Sequence, residues 1–215
     1  MDFKREKRRD SKDMKSERIK FWTVQRKSVL KTIENNGIFF PNVDRSTYIA
    51  KYPNRMEVLE LYRYMLNAFN ENNGTDYKGL IFSFMYSNPE QDDIRYFQSI
   101  DEFVRIIRER GRGTIEPLWK ELIKNDSVIL ELEYAEDFNP IYIDINDFQF
   151  LMPPIGIMGL PFEQQYAAEL MKTIDYGVII QSLLYSGIIQ AHSGYIKKEN
   201  IINVYDMFEI VPEKK

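Results

Sequence analysis

Phe21-Trp22-Thr23-Val24-Gln25 and Ser28-Val29-Leu30-Lys31-Thr32-Ile33-Glu34-Asn35-Asn36-Gly37-Ile38 read in order as a strand, a short helix, a glycine stop and the start of a second strand. Bulky and polar residues alternate over the first five positions, as they do in a half-buried strand. Ser28 is placed to cap the helix. Asn36-Gly37 ends it, because glycine accepts the left-handed conformation that closes a helix without penalty. The far end of the chain answers this with Ile188-Ile189-Gln190-Ala191, then Ile196-Lys197-Lys198-Glu199-Asn200-Ile201-Ile202-Asn203-Val204, a strand, a turn and a closing strand. The expectation is that the first and penultimate strands lie side by side, with Thr23, Gln25 and Gln190 lining one cleft.

Between these ends the periodicity alternates between helix and strand. Val58, Leu61, Tyr62, Met65 and Phe69 fall on one helical face, which stops at Asn72-Asn73-Gly74. Leu80 to Tyr86 is an aromatic strand. Ile100, Phe103, Val104 and Ile107 mark a helix broken at Gly111-Arg112-Gly113. Ile115, Leu118, Trp119, Leu122 and Ile123 mark another, with Pro117 in its first turn. Ser127 to Tyr134 gives the clearest strand. Val128, Leu130, Leu132 and Tyr134 face one way and Ile129, Glu131 and Glu133 the other. Asp144 to Leu151 predicts a short helix capped by Asp144, and Phe162 to Leu184 carries helical spacing. Gly187 to Ala191 and Val204 to Val211 close the sheet. Helices and strands mix without strict alternation. The fold class is therefore α+β, a small mixed or antiparallel sheet with peripheral helices.

The chain has 215 residues, 44% hydrophobic and 14% aromatic, enough for one sizeable core. Its net charge is -4, but residues 2 to 20 carry nine basic and five acidic side chains, so the rest is strongly acidic. Residues 1–19 read as a charged arm, disordered or weakly helical, and 20–215 as a single α+β domain. The arm interleaves acids with its bases and has one aromatic residue, Phe3, so a solubilising tail fits it better than a nucleic-acid grip. There is no cysteine, which excludes a thiol nucleophile, a disulfide framework and a thiolate metal site. No apolar run reaches the ~18 residues of a spanning helix, and the reading is a soluble, cytoplasmic protein.

Walker, HExxH and dinucleotide fingerprints are absent. With His192 as the one histidine, a His-rich metal site is excluded, and His192 reads as a loop or strand-end residue. Glu131 and Glu133 share a strand face, as metal-binding carboxylates can, but a solvated strand face is the preferred reading and no metal is expected. Trp22 and the tyrosines Tyr62, Tyr64 and Tyr86 offer rings to stack on a flat ligand, with burial in the core as the plainer alternative.

Three segments resemble an uncharacterised bacterial and archaeal domain-of-unknown-function family. They are Phe21 to Gln25, Leu130-Glu131-Leu132-Glu133 with Asp147-Phe148, and Ile189-Gln190-Ala191 with Ile196 to Val204. That outline in turn resembles the ADP-ribosyltransferase-like fold, a split sandwich of small sheets. The resemblance implies NAD as cofactor, with Trp22, Thr23, Gln25 and Tyr86 binding it and Gln190 at the catalytic position. It implies an NAD-dependent transferase that modifies a protein or nucleic acid as a toxin or defence factor. Gln190 stands where that group usually has a carboxylate. An amide positions a ribose but does not neutralise an oxocarbenium-like centre, so altered chemistry is implied. The rival readings are a non-catalytic protein-interaction module, a nucleic-acid binder acting through the basic arm, and, last, a metal nuclease on Glu131 and Glu133.

Overall fold

A computed structural model describes residues 19–46, 55–88, 93–112, 115–134, 143–144 and 187–210. The basic arm, the helical spacing from Phe162 to Leu184 and residues 145–151 lie outside the described residues.

The described residues begin with strand β1 (Ile19–Arg26), which passes directly into helix α1 (Lys27–Asn36). Arg26 rather than Ser28 holds the capping position, with no side-chain cap. Gly37 closes the helix in the left-handed region at φ 77°, as the sequence predicts. Strand β2 (Ile38–Phe39) and a 3-10 turn over Val43–Arg45 follow. Then come helix α2 (Arg55–Asn73), strands β3 (Ile81–Asn88) and β4 (Asp93–Arg95), and helices α3 (Ile100–Arg110) and α4 (Glu116–Lys124). The last elements are strands β5 (Ser127–Tyr134), β6 (Ile143–Asp144), β7 (Ile188–Ser193), β8 (Ile196–Lys197) and β9 (Ile201–Asp206). Ile143–Asp144 is a strand, and the helix expected from Asp144 to Leu151 falls on residues outside the described ones.

Helix α3 shows why local sequence decides its ends. Ser99 Oγ accepts from the Glu102 backbone N–H, Asp101 and Glu102 sit in the first turn, and Arg108 and Arg110 in the last. Acid at the start and base at the end both oppose the helix dipole.

The sheet is antiparallel, with strands in the order β6-β7-β3-β1-β5-β9 and β4 pairing with β3. Strands β2 and β8 form a separate pair. The expected contact between the first and penultimate strands is corrected here: β3 runs between β1 and β7. Both sheet faces are covered. Trp22, Phe84 and Ile129 meet Phe103, Ile107, Trp119 and Leu122 from α3 and α4 on one side. Phe21, Ile81, Leu130 and Ala191 meet Ile33 of α1, Tyr195 and Ile196 on the other. Each large apolar side chain buried this way contributes ~1.5–3 kcal/mol.

Burial on both faces changes the reading of β5. Glu131 does not lie on a solvated face but is 4% exposed. Its carboxylate accepts from Asn203 Nδ2 at 2.8 Å and the Tyr205 hydroxyl at 3.2 Å on β9, and pairs with Lys20 Nζ at 3.4 Å on β1. A buried carboxylate persists only with such partners. Burial and the Glu131 carboxylate together push the Tyr205 hydroxyl above its ordinary range.

Candidate functional site

Strand β1 is bonded unequally on its two edges. Toward β5 the register runs unbroken from Ile19 opposite Tyr134 to Arg26 opposite Ser127. Toward β3 the register holds at Trp22 opposite Phe84 and goes no further. Beyond that point the strands part. The Thr23 hydroxyl donates to the Phe82 carbonyl at 2.6 Å, and Gln25 Nε2 donates to Thr23 Oγ1 at 2.9 Å. These side-chain bonds stand beside the point where the ladder stops.

The gap opens into a cavity of about 490 Å3, within the size range of small-molecule sites. Because it lies in the plane of the sheet, it takes side chains from both faces: Val24 and Arg26 from one, Gln25 from the other. Ile81 and Phe82 form the opposite wall, Leu118 and Leu122 of α4 the floor, and Tyr62 of α2 contributes an aromatic edge. The fourth side is the segment from Phe39 to Ser46. This segment is fastened at several points. Asn42 Oδ1 accepts from the Asp44 N–H, the Val43 N–H donates to the Lys78 carbonyl at 2.8 Å, and Asp44 pairs with Arg63 at 2.8 Å. Gly79 lies so close that a Cβ there would meet Pro41 C at 2.8 Å and Asn42 N at 2.9 Å. The lining carries two arginines, Arg26 and Arg45, and among the described residues no aspartate or glutamate. Among the described residues the charge of the lining is thus opposite in sign to the net charge of the chain.

The residues expected to act together separate into three places. Gln25 lines the cavity, half-buried. Thr23 is buried behind it, with its hydroxyl shared between Phe82 and Gln25. Trp22 is in the core. Its indole N–H donates to the Phe97 carbonyl, and its ring stacks on Phe103 at 5.1 Å and on Tyr205 at 5.6 Å, so no face is left for a ligand. Tyr86 donates its hydroxyl to Glu102 at 2.8 Å and packs on Phe97, away from the cavity lining. Gln190 lies opposite Phe84, which lies opposite Trp22, so all three share one face. Gln25, three residues beyond Trp22, points to the other face. The two glutamines therefore do not meet across a groove. Gln190 is 1% exposed and, among the described residues, neither its Oε1 nor its Nε2 has a hydrogen-bond partner.

His192 takes the strand-end position of the two that were expected, next to last on β7 (Ile188–Ser193), where it is buried and edge-on to Phe82 at 5.0 Å. Among the described residues no group of three or more metal-ligating side chains converges, and no helix is long and apolar enough to cross a membrane. The side chain of Tyr64 lies outside the described ones.

Sequence reasoning passed over Arg26, Arg45 and Phe40, all of which line the cavity. Gln25-Arg26-Lys27, basic with no acid beside it at a strand end, and Phe39-Phe40-Pro41-Asn42, an aromatic pair at a turn, were the available signals. No family model, curated protein or solved structure matches the chain.

Proposed function

We propose that this chain binds an anionic nucleotide of the NAD class in the opening between β1 and β3. The observation that carries the reading is the lining itself. Arg26 and Arg45 supply the positive charge, Gln25, Ser28 and Asn42 supply amide and hydroxyl groups, and Tyr62 and Phe82 supply rings. Guanidinium groups donate in a planar fork that matches phosphate oxygens, and amides read hydroxyls because each has both donors and acceptors. The resemblance to the ADP-ribosyltransferase-like fold supports the same choice, since it seats the nicotinamide ribose beside Thr23 and Gln25. The β1–β3 parting is compatible with the split that such a fold requires. The supported activity is binding. Gln190 is not among the residues that line this cavity.

The test is ligand-dependent melting. At a ligand concentration one hundred times its Kd, stabilisation is about 2.7 kcal/mol. For a chain of this size that raises Tm by about 5–10 °C. NAD or ADP at millimolar concentration should produce such a shift, and Arg45→Glu, at an exposed position, should abolish it without lowering the melting point of the unliganded protein. The absence of a shift with every nucleotide tried would overturn the reading.

A further inference from the structure

The sheet ends in two unlike edges. At one end stands β6, two residues long and too short to template a further strand. At the other stands β9, six residues long and bonded to β5 along one side. Among the described residues no strand and no main-chain hydrogen bond reaches its outer side. The segment Ile201-Ile202-Asn203-Val204-Tyr205-Asp206 favours extended chain through its β-branched and aromatic residues. It holds no proline, lysine or arginine, the residues that commonly blunt an edge. The one blunting device is a register shift between Glu131 and Leu132, which leaves Ile202 without an opposite residue on β5. From Asn203 to Asp206 the pairing is regular.

The edge is its own complement. Ile202 is 46% and Val204 45% exposed, and they flank Asn203, whose side chain is engaged with Glu131 at 2.8 Å. An antiparallel pair of two β9 strands about a two-fold axis at Asn203 sets Ile202 of each copy opposite Val204 of the other. Charge follows the same symmetry. The axis carries the exposed Asp206 of one copy to the Asn200 end of the other, beside the exposed Lys198. Glu199 there lies 3.9 Å from Lys197, so Lys198 is the cation left over. Within its own chain Asp206 acts on Lys27, which is already paired with Asp126 at 2.7 Å.

We infer that β9 is a self-association edge, whose occupant is the β9 strand of a second copy of this chain. The two sheets then run on as one antiparallel sheet, with two apolar pairs at the centre and an Asp206–Lys198 pair at each end. A two-fold pair uses up both edges and closes, so assembly stops at the dimer. A six-residue strand gives a small interface, and the expected Kd is on the order of 10–100 μM. Strands β5 and β1 stand between β9 and the β1–β3 cavity, so the inference is independent of the nucleotide reading.

The experiment is sedimentation equilibrium of the full chain from about 1 μM to about 1 mM, a range that spans that Kd. A monomer–dimer equilibrium is expected. Val204→Lys and Ile202→Lys should each weaken it at least about tenfold, because a lysine on an edge opposes pairing. Both positions are exposed, so both variants should melt with the parent in dilute solution, which scanning calorimetry checks. Asp206→Lys and Lys198→Glu should each weaken the dimer about threefold to tenfold, and the double variant should recover the parent's Kd, since the swap restores opposite charges across the axis. A monomer at every concentration overturns the inference and leaves the edge to a different chain or to none. A dimer indifferent to both lysine variants, a charge swap that recovers nothing, or growth beyond the dimer overturns it equally.

Discussion

The two edges of β1 show what one strand can be used for. Its β5 edge is paired along its whole length, while its β3 edge is paired at Trp22 and Phe84 and then abandoned. On the paired edge, side chains go into two packed cores. On the parted edge they line a hollow floored by α4. A backbone ladder and an open hollow compete for the same edge, and at Thr23 the Phe82 carbonyl is taken by a side-chain hydroxyl. Stability is expected to reside mainly on the β5 side and binding on the β3 side.

That division can be broken by substitution. Trp22→Ala, on the row where both edges are still paired, removes a fully buried ring stacked on both faces. It should cost about 3–5 kcal/mol, read as a fall in Tm of about 6–20 °C. If the loss is below about 1 kcal/mol, the row is not the keystone of the sheet. Glu131→Ala, on the paired side, strips a common acceptor from Lys20, Asn203 and Tyr205 and should cost about 1–3 kcal/mol in denaturant unfolding.

The same cluster sharpens the comparison through pH. The Tyr205 hydroxyl titrates near 10 in an unfolded chain and higher in the folded one. The neutral form is therefore the one that folding favours. Its contribution is complete below about pH 10 and disappears as pH rises through the folded value. Tyr205→Phe should flatten that alkaline decline, measured as Tm against pH. An unchanged slope would remove Tyr205 from the account.

Smaller effects belong to the parted edge. Thr23→Val deletes the hydroxyl between Phe82 and Gln25 at nearly constant volume and should cost about 0.5–1.5 kcal/mol. Because it also releases Gln25, nucleotide affinity should fall more than stability does. Arg45→Ala, exposed and remote from the core, should change unfolding free energy by less than about 0.5 kcal/mol while weakening nucleotide binding.

Much of this was legible in advance. Helices α2, α3 and α4 follow from apolar spacing, and β5 from its alternation, because those signals are local. The polar half of β5 was misread, since alternation does not say whether the second face meets water or another layer, and here α3, α4 and β9 cover it. Strand order was not legible either. Nothing in Phe21 to Gln25 or Gly187 to Ala191 announces that β3 will lie between them, and once it does, residue parity sends Gln25 and Gln190 to opposite faces. Gln25 lines the cavity because it belongs to the strand end that leaves the ladder. Phe40 and Arg45 escaped notice because a turn has no periodicity to betray what it lines.

Gly79 gives the cavity a further property. Its bare Cα lets the Pro41 and Asn42 backbone press directly against the root of β3, so the separation of strap and strand is set by main chain on main chain. Side chains around the rim can then be exchanged without altering the aperture. The chemistry of the hollow is free to drift while its dimensions are inherited.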